Sequence, residues 1–311
     1  MELPTRPSTT TAIRRLRQGD EAALERFLTP RADSSMFLAS NLSRGGFEDA
    51  GLSFQGIYIG CFQDGVLAGV VCHAGNGMLL VQADAAVDHL AREALRISQR
   101  PISGISGPPP PQVRAARRTL DLADGAVSYD AVEILFALDL AALREPAALV
   151  ASETRCRRSA AGDLPLLRHW MTAYRHTIHG TPVTADLLAS SDAYIRDLQA
   201  QGHHWLLELA GQPVAMASFN ATLPRRRTDI GGPDLRRPGF GRVQIGGVWT
   251  PPERRGHGYA RTVIAGALAS ARDLDMDRAV LFTNPHNLPA QHAYRALGFE
   301  EVGEYGIVLF S

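Results

Sequence analysis

The stretch Pro251-Pro252-Glu253-Arg254-Arg255-Gly256-His257-Gly258-Tyr259-Ala260 decides how the rest of the chain is read. An apolar run, Val243–Thr250, leads into it and reads as a strand. Behind it Val263, Ile264, Ala267, Leu268 and Ala271 recur at three- and four-residue steps, the stripe of a half-buried helix predicted over Tyr259–Leu274. Gly256 and Gly258 free the backbone to aim consecutive N–H groups at one point, which is also the positive end of the helix dipole. An anion is favoured there, and the small Ala260 leaves room for a bulky ligand beside the first helical turn. Two nucleotide-binding patterns are excluded. No G-x-G-x-x-G occurs, and G-x-x-x-x-G-K-[ST] cannot occur because all 32 basic residues are arginine.

Moving outward, a strand over Ala279–Thr283 precedes Asn284-Pro285-His286-Asn287-Leu288-Pro289-Ala290-Gln291-His292-Ala293-Tyr294-Arg295-Ala296-Leu297-Gly298-Phe299. This reads as a helix from Pro289 to Leu297, with Asn287 at its start and a proline where the first turn tolerates one. Tyr294 lies two turns beyond Asn287 on the same face, Gly298 suits the helix end, and a last strand covers Tyr305–Phe310. Together these stretches resemble the GNAT superfamily of acyl-CoA N-acyltransferases. Its pattern [QR]-x-x-G-x-[GA] is matched by Arg255, Gly258 and Ala260, and N-x-x-[AS]-x-x-x-Y-x-x-x-G-[FY] by Asn287, Ala290, Tyr294, Gly298 and Phe299.

The resemblance implies acetyl-CoA as acyl donor. It implies that the strand before the glycine turn splays from its neighbour, with backbone groups of Val248, Trp249 and Thr250 pairing with pantetheine. Backbone N–H groups of Arg255, Gly256, His257, Gly258, Tyr259 and Ala260 would hold the pyrophosphate, Asn287 the cofactor arm, and Tyr294 would face the thioester sulfur as the catalytic residue. The reaction is direct attack by a neutral amine. Deprotonating an alkylammonium at pH 7 costs about 4–5 kcal/mol, an α-amine only about 1 kcal/mol, so a base or a desolvating pocket matters most for alkylamines. Amides near Val248 would stabilise the developing oxyanion. A phenol gives up its proton to a thiolate uphill by about 2 kcal/mol, so Tyr294 is expected to donate a hydrogen bond rather than its proton. Many family members carry a glutamate on the strand before the turn. Here that strand offers Gln244, and Glu208, His257 or a water chain stay open as the base.

The chain also reads as two copies of one plan. Arg15, Gly19, Asp20, Leu24 and Phe27 recur as Arg158, Gly162, Asp163, Leu167 and Trp170, every pair separated by the same interval. In each copy Gly-Asp is expected to cap a helix. A hairpin follows in each: Ile57–His73 turning at Gln63-Asp64-Gly65, and Trp205–Asn220 turning at Gly211-Gln212. The expected organisation is a tail (1–12), a degenerate GNAT-like domain (13–150) and a catalytic one (151–311). The fold class is α/β (α+β), each domain a mixed, mostly antiparallel twisted sheet flanked by helices. In the first half a strand-like run (Met78–Gln82), a helix (Ala86–Ile97), an extended loop (Pro101–Pro111, ending in four prolines) and a strand (Ala131–Leu138) are predicted. Its turn, Gln82-Ala83-Asp84-Ala85-Ala86-Val87-Asp88, lacks the glycine pair and carries two acids that repel pyrophosphate. The second half holds an arginine-rich loop, 224–241, with Arg225, Arg226, Arg227, Arg236 and Arg237; recruitment of an anionic amine by these arginines stands against a merely solvated loop.

Composition bounds the function. The 311 residues allow two domains. With 32 acidic residues against 32 basic, a whole-surface nucleic-acid or membrane binder is not expected. Cys61, Cys72 and Cys156 have no metal-ligand spacing, so no metal is expected, and a cytoplasmic location is. The expected activity is an acetyl-CoA-dependent N-acetyltransferase acting on a small-molecule or peptide amine; the sequence does not specify an oligomeric state. Two other readings are a mycothiol-synthase-like acetyltransferase and a non-catalytic acyl-CoA-binding sensor.

Overall fold

The computed structural model describes residues 10–108, 110–120, 127–223 and 241–310. They form two compact units, Met1–Ala131 with Tyr305–Ser311, and Val132–Glu304.

The first unit contains β1 (Thr11–Arg15), α1 (Glu21–Leu28), α2 (Met36–Gly45), β2 (Gly56–Gln63), β3 (Val66–Ala74), β4 (Met78–Ala83), α3 (Val87–Ser98), β5 (Gly104–Gly107) and α4 (Pro110–Thr119). Its strands run in the order β1-β2-β3-β4-β5, antiparallel except for the parallel pair β4–β5. Gly306–Leu309 of the last strand, β12 (Glu300–Phe310), complete it antiparallel to β5. Alternate side chains of a strand face opposite ways. Thus Ile57, Ile59 and Cys61 meet Leu90, Ala91 and Ala94 of α3, while Tyr58 and Phe62 meet Leu24, Phe27, Leu38 and Leu42 of α1 and α2. Burial on both faces is why β2 reads as one unbroken apolar run.

The second unit repeats that order. It contains β6 (Val127–Asp139, its last residues), β7 (Thr154–Arg158), α5 (Leu164–His179), α6 (Ala185–Ala200), β8 (His204–Leu209), β9 (Gln212–Leu223), β10 (Arg242–Trp249), α7 (Tyr259–Arg272), β11 (Arg278–Thr283) and α8 (Leu288–Leu297). The strands run β7-β8-β9-β10-β11-β6, with β10–β11 parallel and β6 antiparallel to β11. Val263, Ile264, Ala267, Leu268 and Ala271 of α7 cover one face of the sheet; Leu167, Trp170 and Met171 of α5 and Ile195 of α6 cover the other. The expected fold class is therefore found in both units. No helix among the described residues is long and apolar enough to cross a membrane.

Four local expectations need correction. The units divide at residues 131/132 and 304/305 rather than at 150. The reason is pairing: β6 lies before the expected boundary yet bonds to β11, and β12 lies after it yet bonds to β5. The proline run is not an extended loop, because Pro110 and Pro111 open α4, where a missing N–H costs nothing. The second hairpin turns at Ala210-Gly211, both at positive φ (49° and 75°), as do Asp64 and Gly65 (47° and 80°) in the first, the two-residue geometry that matches strand twist. Finally, neither Gly-Asp aspartate caps its helix with its side chain. Asp20 accepts both guanidinium nitrogens of Arg14 at 2.7 Å and the N–H of Arg17 at 2.9 Å. Asp163 accepts Arg157 at 2.7 and 2.9 Å and the N–H of Ala160 at 2.7 Å. Both straps bind the edge strand to the loop that follows it, and the arginine holds each carboxyl below the usual range.

Candidate functional site

The site begins with an interruption in β10. Pairing to β11 covers Arg242–Gln244 against Arg278–Val280 and stops there, although both strands continue. On its other side β10 bonds to β9 with register shifts after Gln244 and after Gly246. The second shift is built from Gly246 and Gly247. A Cβ on Gly246 would lie 1.9 Å from Asn220 Nδ2, and one on Gly247, at φ +56°, would lie 2.8 Å from Ser218 Oγ. The bulge is pinned from below: Ser218 donates to the Gly246 carbonyl at 2.9 Å and to Asn220 Oδ1 at 3.0 Å, and the Tyr194 hydroxyl donates to the same Oδ1 at 2.7 Å. The distorted strand turns Ile245–Trp249 away from β11 and leaves their backbone groups on that side to a ligand. Consecutive glycines inside a strand were the signal for this bulge, and the sequence reading passed over them.

The opening leads into the glycine turn. Gly256 (φ +82°) and Gly258 (φ +78°) both occupy the left-handed region, and Gly258 is the residue before α7. The first helical amides, Tyr259 to Arg261, have no intrahelical acceptor. Arg255 donates from Nε to the Thr250 carbonyl at 3.1 Å, lies 5.0 Å over the Trp249 ring, and gives its backbone N–H to the Pro252 carbonyl at 3.3 Å, so it braces the turn. His257 is exposed, its Nδ1 2.8 Å from the Arg255 carbonyl, and its ring stacks on Tyr259 at 5.4 Å. Two buried polar atoms here have no hydrogen-bond partner, Thr250 Oγ1 and Arg261 Nε. Arg261, absent from the sequence reading, leans its Nη2 to 3.8 Å from the position of a Gly258 Cβ. An orphaned guanidinium nitrogen and free amides at one helix start fit a pyrophosphate-bearing ligand.

Asn287 accepts the Ala290 N–H at 3.3 Å through Oδ1 and so caps α8; its amide nitrogen is the part that would serve a ligand. Tyr294, almost fully buried, sits edge-on to Phe136 at 5.9 Å and near Phe299 at 6.1 Å. Burial, with the negative charge of Glu133 added, holds its hydroxyl well above the usual phenol range. Val248 packs against the same core cluster, and Trp249 is buried edge-on to Tyr174 at 6.4 Å. The carboxylate considered as a base is committed elsewhere, since Glu208 pairs with Arg157 at 2.6 Å. Gln244 is buried and donates to the Ile245 carbonyl at 2.7 Å. Arg225, Arg226, Arg227, Arg236 and Arg237 lie outside the described residues.

Two strands that part before a helix start rich in free amides form an opening continuous with the glycine turn. Residues 165–299 match the model of the Acetyltransferase (GNAT) family. A rat protein, N-acetyltransferase family 8 member 2, is 29% identical over 123 residues, 39% of this chain and 47% of its own length. The chain thus spans about half the length of that curated relative. Among solved structures, a Drosophila protein is 13% identical with a TM-score of 0.63, covering 96% of this chain and 98% of its own. A tandem GNAT protein from the clavulanic acid biosynthesis pathway is 12% identical with a TM-score of 0.51, over 96% and 98%. These two likenesses concern the fold.

Proposed function

We propose that the second unit is an acetyl-CoA-dependent N-acetyltransferase and that the first unit binds no acyl-CoA. The observation that carries this is the continuity of the β10–β11 opening with the glycine turn, set against its counterpart in the first unit. There, pairing likewise stops after Met78–Leu80 and Gly104–Ser106. Beyond it, however, Gln112 of α4 accepts the Ala83 N–H at 2.9 Å, and the Gly107 backbone lies so close that a Cβ would sit 2.2 Å from the Val81 carbonyl. The opening is filled by the protein itself, and Asp84 stands in its turn, paired with Arg31 at 2.9 Å.

In the second unit the backbone of Val248, Trp249 and Thr250 would pair with the pantetheine arm. The amides from Gly256 to Ala260, with Arg261, would hold the pyrophosphate, the Arg255 N–H being spent on the Pro252 carbonyl, and Asn287 the arm. The thioester supplies the acyl group, which an amine takes by direct attack as the C–S bond breaks, the proton shed by the nitrogen passing through water to the departing thiolate. Tyr294 donates a hydrogen bond to that sulfur; with its acidity lowered by burial it keeps its proton. No carboxylate base is assigned, which favours amines already partly neutral near pH 7. Calorimetric titration with acetyl-CoA tests the reading. One site per chain, followed by thiol release when an amine is added, is the expected result. Two sites would contradict the filled first unit, and no binding would remove the reading altogether.

A further inference from the structure

Beside the bulge lies a guanidinium that no carboxylate among the described residues pairs with. Arg175 is half-buried near the end of α5. Its Nη1 donates to Ser190 Oγ at 3.1 Å, and its Cζ lies 5.1 Å from the Tyr194 ring centroid. Among the described residues no carboxylate pairs with it. Of the three acids on the neighbouring helix, Asp186, Asp192 and Asp197, Asp192 is taken by Arg196 at 2.7 Å and Arg168 at 3.5 Å. A buried charge is ordinarily paired, because leaving water without a partner costs several kcal/mol. Burial accordingly lowers the pKa of Arg175, and burial together with its charge brings the nearby His179 down to about 4. Tyr174, His179 and Tyr194 surround it.

Two independent contacts locate this charge relative to the bulge. Met171, one turn before Arg175 on the same face of α5, places its Cε 3.2 Å from the position of a Gly247 Cβ. Tyr194, beneath the guanidinium, reaches Asn220, whose amide touches Gly246. Arg175 therefore stands on α5 one helical turn beyond the residue that packs on the bulged glycines. From the nitrogen of an α-amino acid, through its carboxylate, to a hydrogen-bond donor is about 7 Å.

We infer that Arg175 anchors the carboxylate of the acceptor, so that the amine acetylated belongs to a small amino acid or a similar carboxylate-bearing amine. This rests on the acetyl-transfer reading above. The guanidinium would meet the carboxylate through its free edge, complete the missing ion pair, and leave the amine facing the thioester beside Gly247.

The test compares each α-amino acid with its primary amide, with acetyl-CoA as donor and thiol release as readout. The amide has the less basic amine, so chemistry alone favours the amide. Preference for the acid by about 10-fold or more in kcat/KM is expected, the size of one charge-assisted bond. Arg175→Gln should collapse that ratio towards one, mainly through KM, and Arg175→Lys should restore part of it. Thermal shifts with acid and amide in the presence of CoA give the same comparison without turnover. Acetyl-CoA binding combined with equal use of acid and amide overturns the role of Arg175 and leaves the acetyl-transfer reading standing. Equal loss for acid and amide in Arg175→Gln also overturns it, as a structural effect. Absence of acetyl-CoA binding sinks both readings.

Discussion

The two units share a frame at the level of single hydrogen bonds and differ where a ligand would enter. Arg14–Asp20 and Arg157–Asp163 make the same strap, and the Leu16 and Ser159 amides donate to the carbonyls of Tyr58 and His204, each at 2.9 Å. Both sheets keep the same strand order and the same truncated parallel pair. The first unit closes its opening with Gln112, and α4 carries no tyrosine. The second keeps it open, with glycines at the turn and Tyr294 on α8. Retention of the strap in both units, whose turns and last helices differ, teaches that the strap serves the fold.

The straps are predicted to differ in worth. Arg157 is 23% exposed and lies between two carboxylates, Asp163 and Glu208, whereas Arg14 is 47% exposed and has one. Chemical denaturation of Arg157→Ala should show a loss of about 3 kcal/mol, against less than about 1 kcal/mol for Arg14→Ala. Equal losses would break the comparison. Next in size, Tyr294→Phe should lower kcat about 100-fold, near 2.7 kcal/mol, with little change in the acetyl-CoA Kd. A kcat within a factor of two of the parent would reduce Tyr294 to a packing residue.

A smaller contrast concerns the strand position where Tyr58 and His204 correspond. The Tyr58 hydroxyl donates to the Leu38 carbonyl at 3.2 Å, while among the described residues neither ring nitrogen of the fully buried His204 has a hydrogen-bond partner. Burial depresses the His204 pKa from 6.5 to about 4. Between those values the unfolded chain binds more protons, so stability falls as pH drops through that window, by about 2 kcal/mol at pH 5. His204→Phe should flatten the dependence of Tm on pH between 7 and 5; an unchanged slope would place the acid sensitivity elsewhere. The smallest effect is expected at Ala86. It precedes α3 at φ +57°, the place that Gly258 takes before α7 at φ +78°. Ala86→Gly should relieve about 1 kcal/mol of backbone strain, raising Tm slightly, while calorimetry still counts one acetyl-CoA per chain because Gln112 stays in place.

What could be read from the sequence was what repeats over a short span. The strand, turn and helix around Gly256 and Gly258 were legible because alternation, glycine spacing and a helical stripe all fall within thirty-odd neighbouring residues. β5 was not, since Gly-Ile-Ser-Gly has no pattern, and its neighbours in the sheet lie far along the chain. α4 was masked by the prolines that start it, with only Val113 and Ala116 as buried markers. The aspartates were recognised as significant, but their partners Arg14 and Arg157 lie on the strand rather than the helix. Arg175 and Asn220 had no local signal, because their roles arise only when α5, α6, β9 and β10 meet.

The exchange of last strands has a consequence for how the molecule is made. Synthesis runs from the N-terminus, so the first unit emerges long before Gly306–Leu309, the strand that pairs with β5. Until then β5 keeps a row of unmet backbone donors and acceptors, an edge open to wrong partners. The second unit, by contrast, receives β6 before any of its other strands exist. The half translated first therefore waits for the end of the chain, and losing the final strand should harm residues nearly two hundred positions upstream.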